Sequence, residues 1–181
     1  MHDPNTKVMN VMFRKLLLIV AGVFLINANT FAMSHDEGQI HSNVHGFYSF
    51  LDHGAFVYPG RLLAPQLTID VTSLIGGEVQ QLNREDLITH WANYLPGFDT
   101  TFHNPSNVTV TIDGDHAKAS TYVIGRHWLG KDGFWAASAK SYFTLKRTDN
   151  NWEITSIKVR RIDEEGDRTI LDEAPKRVVA N

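Results

Sequence analysis

From residue 100 onward the chain reads as consecutive β-strands, and this run constrains the fold more than any other feature. Alternating apolar and polar residues predict four strands, over residues 100–112, 116–128, 134–147 and 151–163. Short turn sequences separate them at Asp113-Gly114, between Gly130 and Gly133, and at Asp149-Asn150. Because strands joined by such short turns pair antiparallel, we expect a four-stranded meander.

Two helices are predicted ahead of this meander. The first has apolar residues three or four positions apart and ends near Gly54; they are Ile40, Val44, Phe47 and Leu51. The second begins after the N-cap Asn83 and ends at Pro96-Gly97. Its expected buried stripe comprises Leu87, Ile88, Trp91 and Leu95. With a further strand over residues 66–71, this order indicates an α+β domain whose helices pack on one face of a curved sheet.

Composition argues against several classes of function. The chain has no cysteine, which excludes disulfides, thiolate catalysis and cysteine-based metal sites. A net charge of -3, without a block of Lys or Arg, gives no footprint for nucleic acid or for a membrane surface. His41 and His45 have the one-turn spacing of a ligand pair, but no carboxylate or third histidine is fixed with them. We therefore predict no metal site.

The first 32 residues have the pattern of a secretory signal. Arg14 and Lys15 precede an apolar run over residues 16–26, and small residues precede a cleavage point after Ala32. The run is short for a bilayer-spanning helix, although an uncleaved anchor is the alternative. We expect removal of residues 1–32, a periplasmic or secreted domain over residues 33–163 without membrane attachment, and a loose charged tail over residues 164–181.

Strand alternation places His127 on the apolar face of the predicted meander, whereas His103 has the opposite parity. A proline inside a strand favours a sheet edge or a bulge, and a bulge reverses the phase of the residues on either side of it. A bulge at Asn104-Pro105 would therefore bring His103 onto the same face as His127.

These motifs resemble the SnoaL-like branch of the nuclear-transport-factor-2-like superfamily over residues 38–163. The matching stretches are Phe47-Tyr48-Ser49-Phe50-Leu51-Asp52, Arg84 to Leu95 with Pro96-Gly97, Phe102-His103-Asn104-Pro105-Ser106-Asn107, Asp113-Gly114-Asp115-His116-Ala117 and Trp152-Glu153-Ile154. The resemblance implies a cone-shaped barrel, in which N-terminal helices close a curved mixed sheet around an apolar pocket. It also implies a homodimer formed through the outer face of the sheet.

Within that superfamily the site pattern resembles scytalone dehydratase and its relatives. They carry an aspartate late in the first helix, a histidine on the first meander strand and another histidine after a glycine on the next. The matching residues are Asp52, His103 and His127, the last in the sequence Gly125-x-His127. The resemblance implies a cofactor-independent dehydratase acting on a small hydrophobic or polycyclic hydroxy-carbonyl compound.

Roles follow if Asp52 contacts His127. The carboxylate would fix the tautomer of the imidazole and raise its basicity. His127 would then remove a proton next to a carbonyl, His103 would bind the leaving group or the enolate, and Tyr48 would bind the carbonyl. The expected ligand-binding residues are Trp91, Tyr94, Asn107 and Phe143.

Other interpretations stay open. A non-catalytic protein could use the same pocket to bind a small hydrophobic ligand. A dimeric interaction module is favoured if Trp91 and Phe143 fill the pocket. The isomerase and cyclase branches use a carboxylate on a late strand, and residues 134–145 contain none. An epoxide-hydrolase-like site would use Arg126 together with Asp70, but by parity Arg126 points away from His127.

Overall fold

The computed structural model of the protein describes residues 33–149 and 151–179, so the predicted signal segment lies outside the described residues. The helices are α1 (His35–Asp52), α2 (Thr72–Ile75), α3 (Arg84–Tyr94) and α4 (Ile170–Val179), with 3₁₀ turns at Pro59–Arg61 and Leu95–Gly97. The strands are β1 (Leu63–Asp70), β2 (Gln80–Asn83), β3 (Thr100–Asp113), β4 (His116–Leu129), β5 (Gly133–Thr148) and β6 (Asn151–Gly166). In the described part of the chain, no helix is long and apolar enough to cross a membrane.

The strands form one mixed sheet in the order β2-β1-β6-β5-β4-β3. Strands β3 to β6 are the predicted antiparallel meander. Strand β1 pairs in parallel with β6 and antiparallel with β2, a short, largely exposed strand that the sequence did not indicate. The sheet is curved but not closed, and helices precede the meander, which confirms the predicted α+β class.

Helix α1 supplies much of the core beneath the sheet. All four residues of its predicted stripe are buried: Ile40, Val44, Phe47 and Leu51. Burying one such side chain stabilises the fold by about 1.5–3 kcal/mol. The helix ends at Asp52, and Gly54 follows with a φ of 65°, a left-handed conformation that suits glycine after a helix. This ending delivers the Asp52 carboxylate to strand β3.

The start of α1 is tied to the far end of the meander. The guanidinium of Arg147 donates hydrogen bonds of 2.9 and 2.6 Å to the two carboxylate oxygens of Asp36. The indole of Trp152 donates to the same carboxylate at 3.3 Å, and Arg147 lies over the Trp152 ring. These contacts orient α1 across the sheet.

Helix α3 begins at the predicted residue, but fewer of its apolar side chains are buried than predicted. The side chain of Asn83 accepts a hydrogen bond of 2.8 Å from the backbone N–H of Asp86, the contact of an N-cap. Only Leu87 of the expected stripe is fully buried; Ile88, Trp91 and Leu95 are half-buried. The helix therefore covers the core with a narrow stripe.

Residues 164–179 form regular structure, so the expectation of a loose tail is wrong over that range. Strand β6 continues to Gly166, and α4 follows. Ile170 and Ala174 are buried in a second apolar cluster that includes Phe98 and Trp135. The charged residues of α4 concealed this narrow apolar face in the sequence.

The prediction of a bulge at Asn104-Pro105 is wrong, although β3 has a bulge a few residues later. Strand β3 runs regularly through Pro105, which pairs with Val123; a proline is tolerated there because β3 is an edge strand. The register shifts instead between Ser106 and Thr109, and Asn107 adopts a φ of 53°.

The bulge between Ser106 and Thr109 brings His103 onto the same face of the sheet as His127, as a bulge at Asn104-Pro105 was expected to do. The two residues 107 and 108 lie opposite a single residue of β4, so the phase of β3 reverses between its two halves. His103 lies opposite Gly125, and Thr101 lies opposite His127. Both histidines consequently occupy the inner face of the sheet.

Candidate active site

Asp52 and His103 form a half-buried hydrogen-bonded pair. The Nδ1 atom of His103 lies 2.6 Å from Oδ1 of Asp52, and the backbone N–H of His103 donates to Oδ2 at 2.6 Å. The hydroxyl of Thr101 donates to Oδ1 at 2.9 Å. The side chains of His103 and Asp52 are 17% and 9% exposed. The carboxylate is therefore held in place by three donors from one strand.

This arrangement fixes the charge of Asp52 and the tautomer of His103. Burial alone would raise the pKa of Asp52, but the hydrogen bonds from His103 and Thr101 hold that pKa below its ordinary value. An ionised carboxylate can only accept hydrogen bonds, so Nδ1 of His103 carries a proton. In the neutral imidazole the lone pair is then on Nε2, as a general base requires.

His127 has a different environment from the predicted one. Its ring lies 5.3 Å from that of His103, centroid to centroid, and packs against Phe98 at 4.9 Å and Trp135 at 5.3 Å. Burial, followed by the charge of His103, lowers the pKa of His127 to about 3. The expected rise in basicity is wrong, because Asp52 hydrogen-bonds to His103 and not to His127.

The buried ring of His127 keeps one unpaired polar atom. Its Nδ1 atom has no hydrogen-bond partner within the described part of the chain. Leaving such an atom unpaired costs about 1–3 kcal/mol, so buried groups of this kind in native proteins call for an explanation. A neutral imidazole in this state suits hydrogen bonding to a polar group of a ligand.

Tyr48 forms a wall beside the pair. Its ring stacks on that of His103 with centroids 5.6 Å apart and an interplanar angle of 26°. Its hydroxyl donates a hydrogen bond of 2.8 Å to the hydroxyl of Ser141. Burial raises the pKa of Tyr48 to about 12. The hydroxyl that we assigned to a substrate carbonyl is thus engaged with Ser141, and the ring supports His103.

The structure separates the four expected ligand-binding residues. Trp91 is half-buried against the core, and Tyr94 packs edge-on against Phe98, which in turn contacts His127. Phe143 is 1% exposed and belongs to the core. Asn107 is exposed and forms the bulge of β3. Tyr94 and Phe143 are each one aromatic ring away from a site histidine, through Phe98 beside His127 and through Tyr48 beside His103 respectively.

Sequence reasoning missed two residues that shape the site. Thr101 lies two positions before His103, so strand alternation puts both side chains on one face, where Thr101 reaches Asp52. Ser141 receives the Tyr48 hydroxyl, but one serine among the small residues of a predicted strand carries no signal of its own.

The alternative sites are not assembled. Arg126 lies on the outer face of the sheet, whereas the Asp70 carboxylate accepts hydrogen bonds from Thr72 and pairs with Lys158 at 3.3 Å. No group of three or more metal-ligating side chains was found among residues 33–149 and 151–179. A shallow groove of about 240 Å³ lies along the outer side of the meander, beside Lys118 and Tyr142. The enclosed apolar pocket therefore stays a prediction.

Residues 32–158 match the SnoaL-like domain family, which covers most of the chain. No curated protein matches the chain.

Solved structures share the fold. The Kfla4162 protein from Kribbella flavida is 24% identical, with a TM-score of 0.70 over 75% of this chain and 95% of that chain. A candidate scytalone dehydratase from Novosphingobium aromaticivorans is 14% identical, with a TM-score of 0.63 over 72% and 86%. The type 2 hexachlorocyclohexane dehydrochlorinase LinA is 14% identical, with a TM-score of 0.62 over 71% and 86%. These similarities confirm the expected NTF2-like fold and include scytalone dehydratase-like neighbours.

Proposed function

The chain belongs to the SnoaL-like family, and on this premise we propose that it is a cofactor-independent lyase. Its substrate would be a small hydrophobic or polycyclic hydroxy-carbonyl compound, which it would dehydrate. The observation that carries the proposal is the 2.6 Å contact between Asp52 Oδ1 and His103 Nδ1, because it leaves Nε2 as an oriented base.

The proposed reaction uses His103 as both base and acid. Its Nε2 atom removes a proton from the carbon next to the carbonyl, and the electrons of that C–H bond form an enolate. The enolate collapses to a carbon–carbon double bond as the C–O bond to the hydroxyl breaks. Nε2 returns its proton to the departing oxygen, so the products are an unsaturated carbonyl compound and water.

Three further groups support this step without transferring protons. His127 stays neutral because its pKa is about 3, so it can hydrogen-bond the leaving hydroxyl or the enolate oxygen but cannot act as an acid near neutral pH. The Tyr48 ring holds His103 against the sheet. Asp52 stabilises the imidazolium that forms during the reaction.

Two structural neighbours are consistent with an elimination. One is a candidate scytalone dehydratase, and the other is a dehydrochlorinase. Both reaction types require a base that removes a proton from carbon while a leaving group departs. The dyad of Asp52 and His103 provides a base of this kind, the Nε2 atom of His103.

The test is turnover of a panel of β-hydroxy ketones by the purified chain, followed by absorbance of the conjugated product. We expect His103→Gln to lower kcat by about 10²–10⁴-fold, the usual contribution of a positioned acid–base group. His116→Gln, an exposed histidine on the same sheet, is the matched control. Equal turnover by the His103 variant and the control would reject the proposal.

The alternative is a non-catalytic protein that binds a small hydrophobic ligand. The aromatic surroundings of His127 and its unpaired Nδ1 favour it, since they suit recognition as well as chemistry. Calorimetry with unreactive aromatic ketones separates the two functions. Tight binding that survives His103→Gln, with no turnover by the unmodified chain, would favour the binding protein.

A homodimer through the outer face of the sheet is also part of the proposal. That face exposes large apolar side chains at 40–46% of their surface: Phe102, Tyr122, Ile124 and Tyr142. Sedimentation velocity tests the expectation. A dimer that Ile124→Lys converts to a monomer would support this face, whereas a concentration-independent monomer would exclude the dimer.

Export is proposed from the first 32 residues of the sequence. Expression in a bacterial host should yield protein in the periplasmic or extracellular fraction, shortened near residue 32. N-terminal sequencing of that fraction measures the cleavage point, and an unshortened chain retained in the cytoplasm would contradict the export.

A further inference from the structure

We propose that Gly125 is a positioning residue that reserves space on β4 for the imidazole of His103 and so aims Nε2 at the substrate. The inference deepens the proposed function and rests on it. Gly125 touches no reacting atom in this account. It acts through the orientation of His103.

The space around Gly125 carries the argument. A Cβ atom built on Gly125 would lie 3.0 Å from Cδ2 and 3.2 Å from Nε2 of His103, and 3.7 Å from Cε1 of His127. The two distances to His103 are tighter than ordinary packing allows, so a methyl group there would force the ring to shift by a few tenths of an ångström.

The backbone gives no other reason for glycine at this position. Gly125 lies in the interior of β4, paired with His103 on one side and Ala137 on the other. Its φ is not positive, unlike the φ of Gly114 and Gly130 at the turns, so its backbone conformation does not require glycine. Glycine weakens a strand interior, and it is used there when another group must approach closely.

The ring of His103 cannot yield without losing its alignment. Tyr48 stacks on one face of it, so movement toward that face meets the phenol ring. Asp52 holds Nδ1 at 2.6 Å, and rotation would lengthen or bend that hydrogen bond. A methyl group on Gly125 therefore changes the direction of Nε2, which is the atom that must meet the substrate.

The primary experiment compares Gly125→Ala with the unmodified chain by proton NMR and by kinetics. The Nδ1 proton of His103, held in a short hydrogen bond, should give a far-downfield resonance in the unmodified protein. We expect Gly125→Ala to shift or abolish that resonance. A misplacement of 1 Å can cost about 10²-fold, so for a shift of a few tenths of an ångström we expect kcat to fall by about 2–10-fold while KM changes little.

Gly46→Ala is the matched control. Its added Cβ would lie 3.5 Å from the nearest atom, an ordinary contact, and it sits in α1. We expect this variant to keep both the resonance and the kcat. A Gly125→Ala protein that also keeps both would overturn the proposal.

A double-mutant cycle separates positioning from general loss of stability. In an Asp52→Asn background the hydrogen bond that Gly125 protects is already lost, so adding Gly125→Ala should leave kcat almost unchanged. A full additive loss would overturn the positioning role. Should Gly125→Ala alone fail to fold, combining it with His103→Ala removes the ring that the added Cβ would meet, and this double variant should fold. A double variant that still fails to fold would overturn the proposal.

The NMR result does not depend on turnover. If the unmodified chain dehydrates no substrate, the proposed function fails, while the resonance still reports whether Gly125 positions His103. If turnover depends on His103 but Gly125→Ala leaves the Nδ1 resonance unchanged, the proposed function survives and this inference fails.

Discussion

Asp52 at the end of α1 and His103 on the edge strand β3 are joined by a 2.6 Å contact across 51 residues of sequence. The same carboxylate also receives the backbone N–H of His103. The site therefore forms only when α1 has docked on the sheet, and the helix end and the strand edge act together as one unit.

Replacing Asp52 by asparagine should disable the base without removing its ring. The amide can donate to Nδ1 and thereby favour the tautomer that places the proton on Nε2. We expect kcat/KM to fall by about 10²–10⁴-fold and the downfield Nδ1 resonance to disappear. Asp113→Asn, an exposed change at the hairpin end, is the control. Retention of the resonance in Asp52→Asn would contradict the described pair.

His127 should make stability depend on pH. Its pKa is about 3 in the folded chain, against 6.5 for an ordinary histidine, so the unfolded chain binds more protons between these values. The stability is therefore complete above pH 6.5 and falls as the pH drops toward 3, by up to about 1.4 kcal/mol per pH unit.

Urea unfolding at pH 7 and pH 5 measures this effect. His127→Phe should lose less stability between the two values than the unmodified chain, because it has no imidazole to protonate on unfolding. His116→Gln should behave as the unmodified chain does. An NMR titration in which the His127 ring takes up a proton near pH 6.5 would contradict the lowered pKa of this buried imidazole.

Removing the Tyr48 hydroxyl should affect stability more than chemistry. In Tyr48→Phe the buried hydroxyl of Ser141 loses its donor, at a cost of about 1–3 kcal/mol. The ring on His103 remains, so kcat should fall by much less than about 10²-fold. Denaturant unfolding and initial rates measure the two effects. Tyr48→Phe/Ser141→Ala should cost less than the sum of the single changes, and a loss of kcat matching that of His103→Gln would instead make the hydroxyl catalytic.

Asn107 should matter for its backbone and not for a ligand. Its φ of 53° suits glycine and asparagine but strains a β-branched residue. We expect Asn107→Gly to unfold at nearly the same urea concentration as the unmodified chain, and Asn107→Val to lose about 1–2 kcal/mol. If Asn107→Gly alone weakened ligand binding tenfold, the result would support the prediction that the Asn107 side chain binds a ligand.

Helix α4 should be displaced by a single methyl group. A Cβ on Gly97 would collide with the backbone carbonyl of Ala174, which is fully buried. Gly97→Ala should therefore speed amide hydrogen exchange in α4 and lower the melting temperature, whereas Gly46→Ala should do neither. Unchanged protection of the α4 amides would contradict the close packing of α4 on the Leu95–Gly97 turn.

The parts of the fold that local patterns determine were predictable from the sequence. Alternation and turn residues identified the four long strands, and the apolar stripe of α1 identified its buried face. Strand β2 has only four residues and gave no clear pattern. Helix α4 does have an amphipathic pattern, but the charge of the segment led to the expectation of a loose tail. The sequence also named Asp52, His103 and His127 as site residues, but the expected pairing of Asp52 with His127 was wrong.

That pairing depends on a geometry that the sequence does not encode locally. Whether Asp52 meets His103 or His127 is decided by where α1 ends relative to β3 and by the position of the bulge. Pro105 suggested the bulge, but an edge strand accommodates proline without one. A local indication of the true bulge position is Asn107, because asparagine tolerates a positive φ better than most residues.

The bulge at residues 107 and 108 makes the chemistry of the inner face depend on chain length as well as on residue identity. Deleting one residue there would restore a regular strand, and His103 would then face outward while Phe102 faced the core. Each residue of the dyad would survive in the sequence, but the dyad would be dismantled. The dyad therefore requires the one extra residue of this bulge as much as it requires Asp52 and His103 themselves.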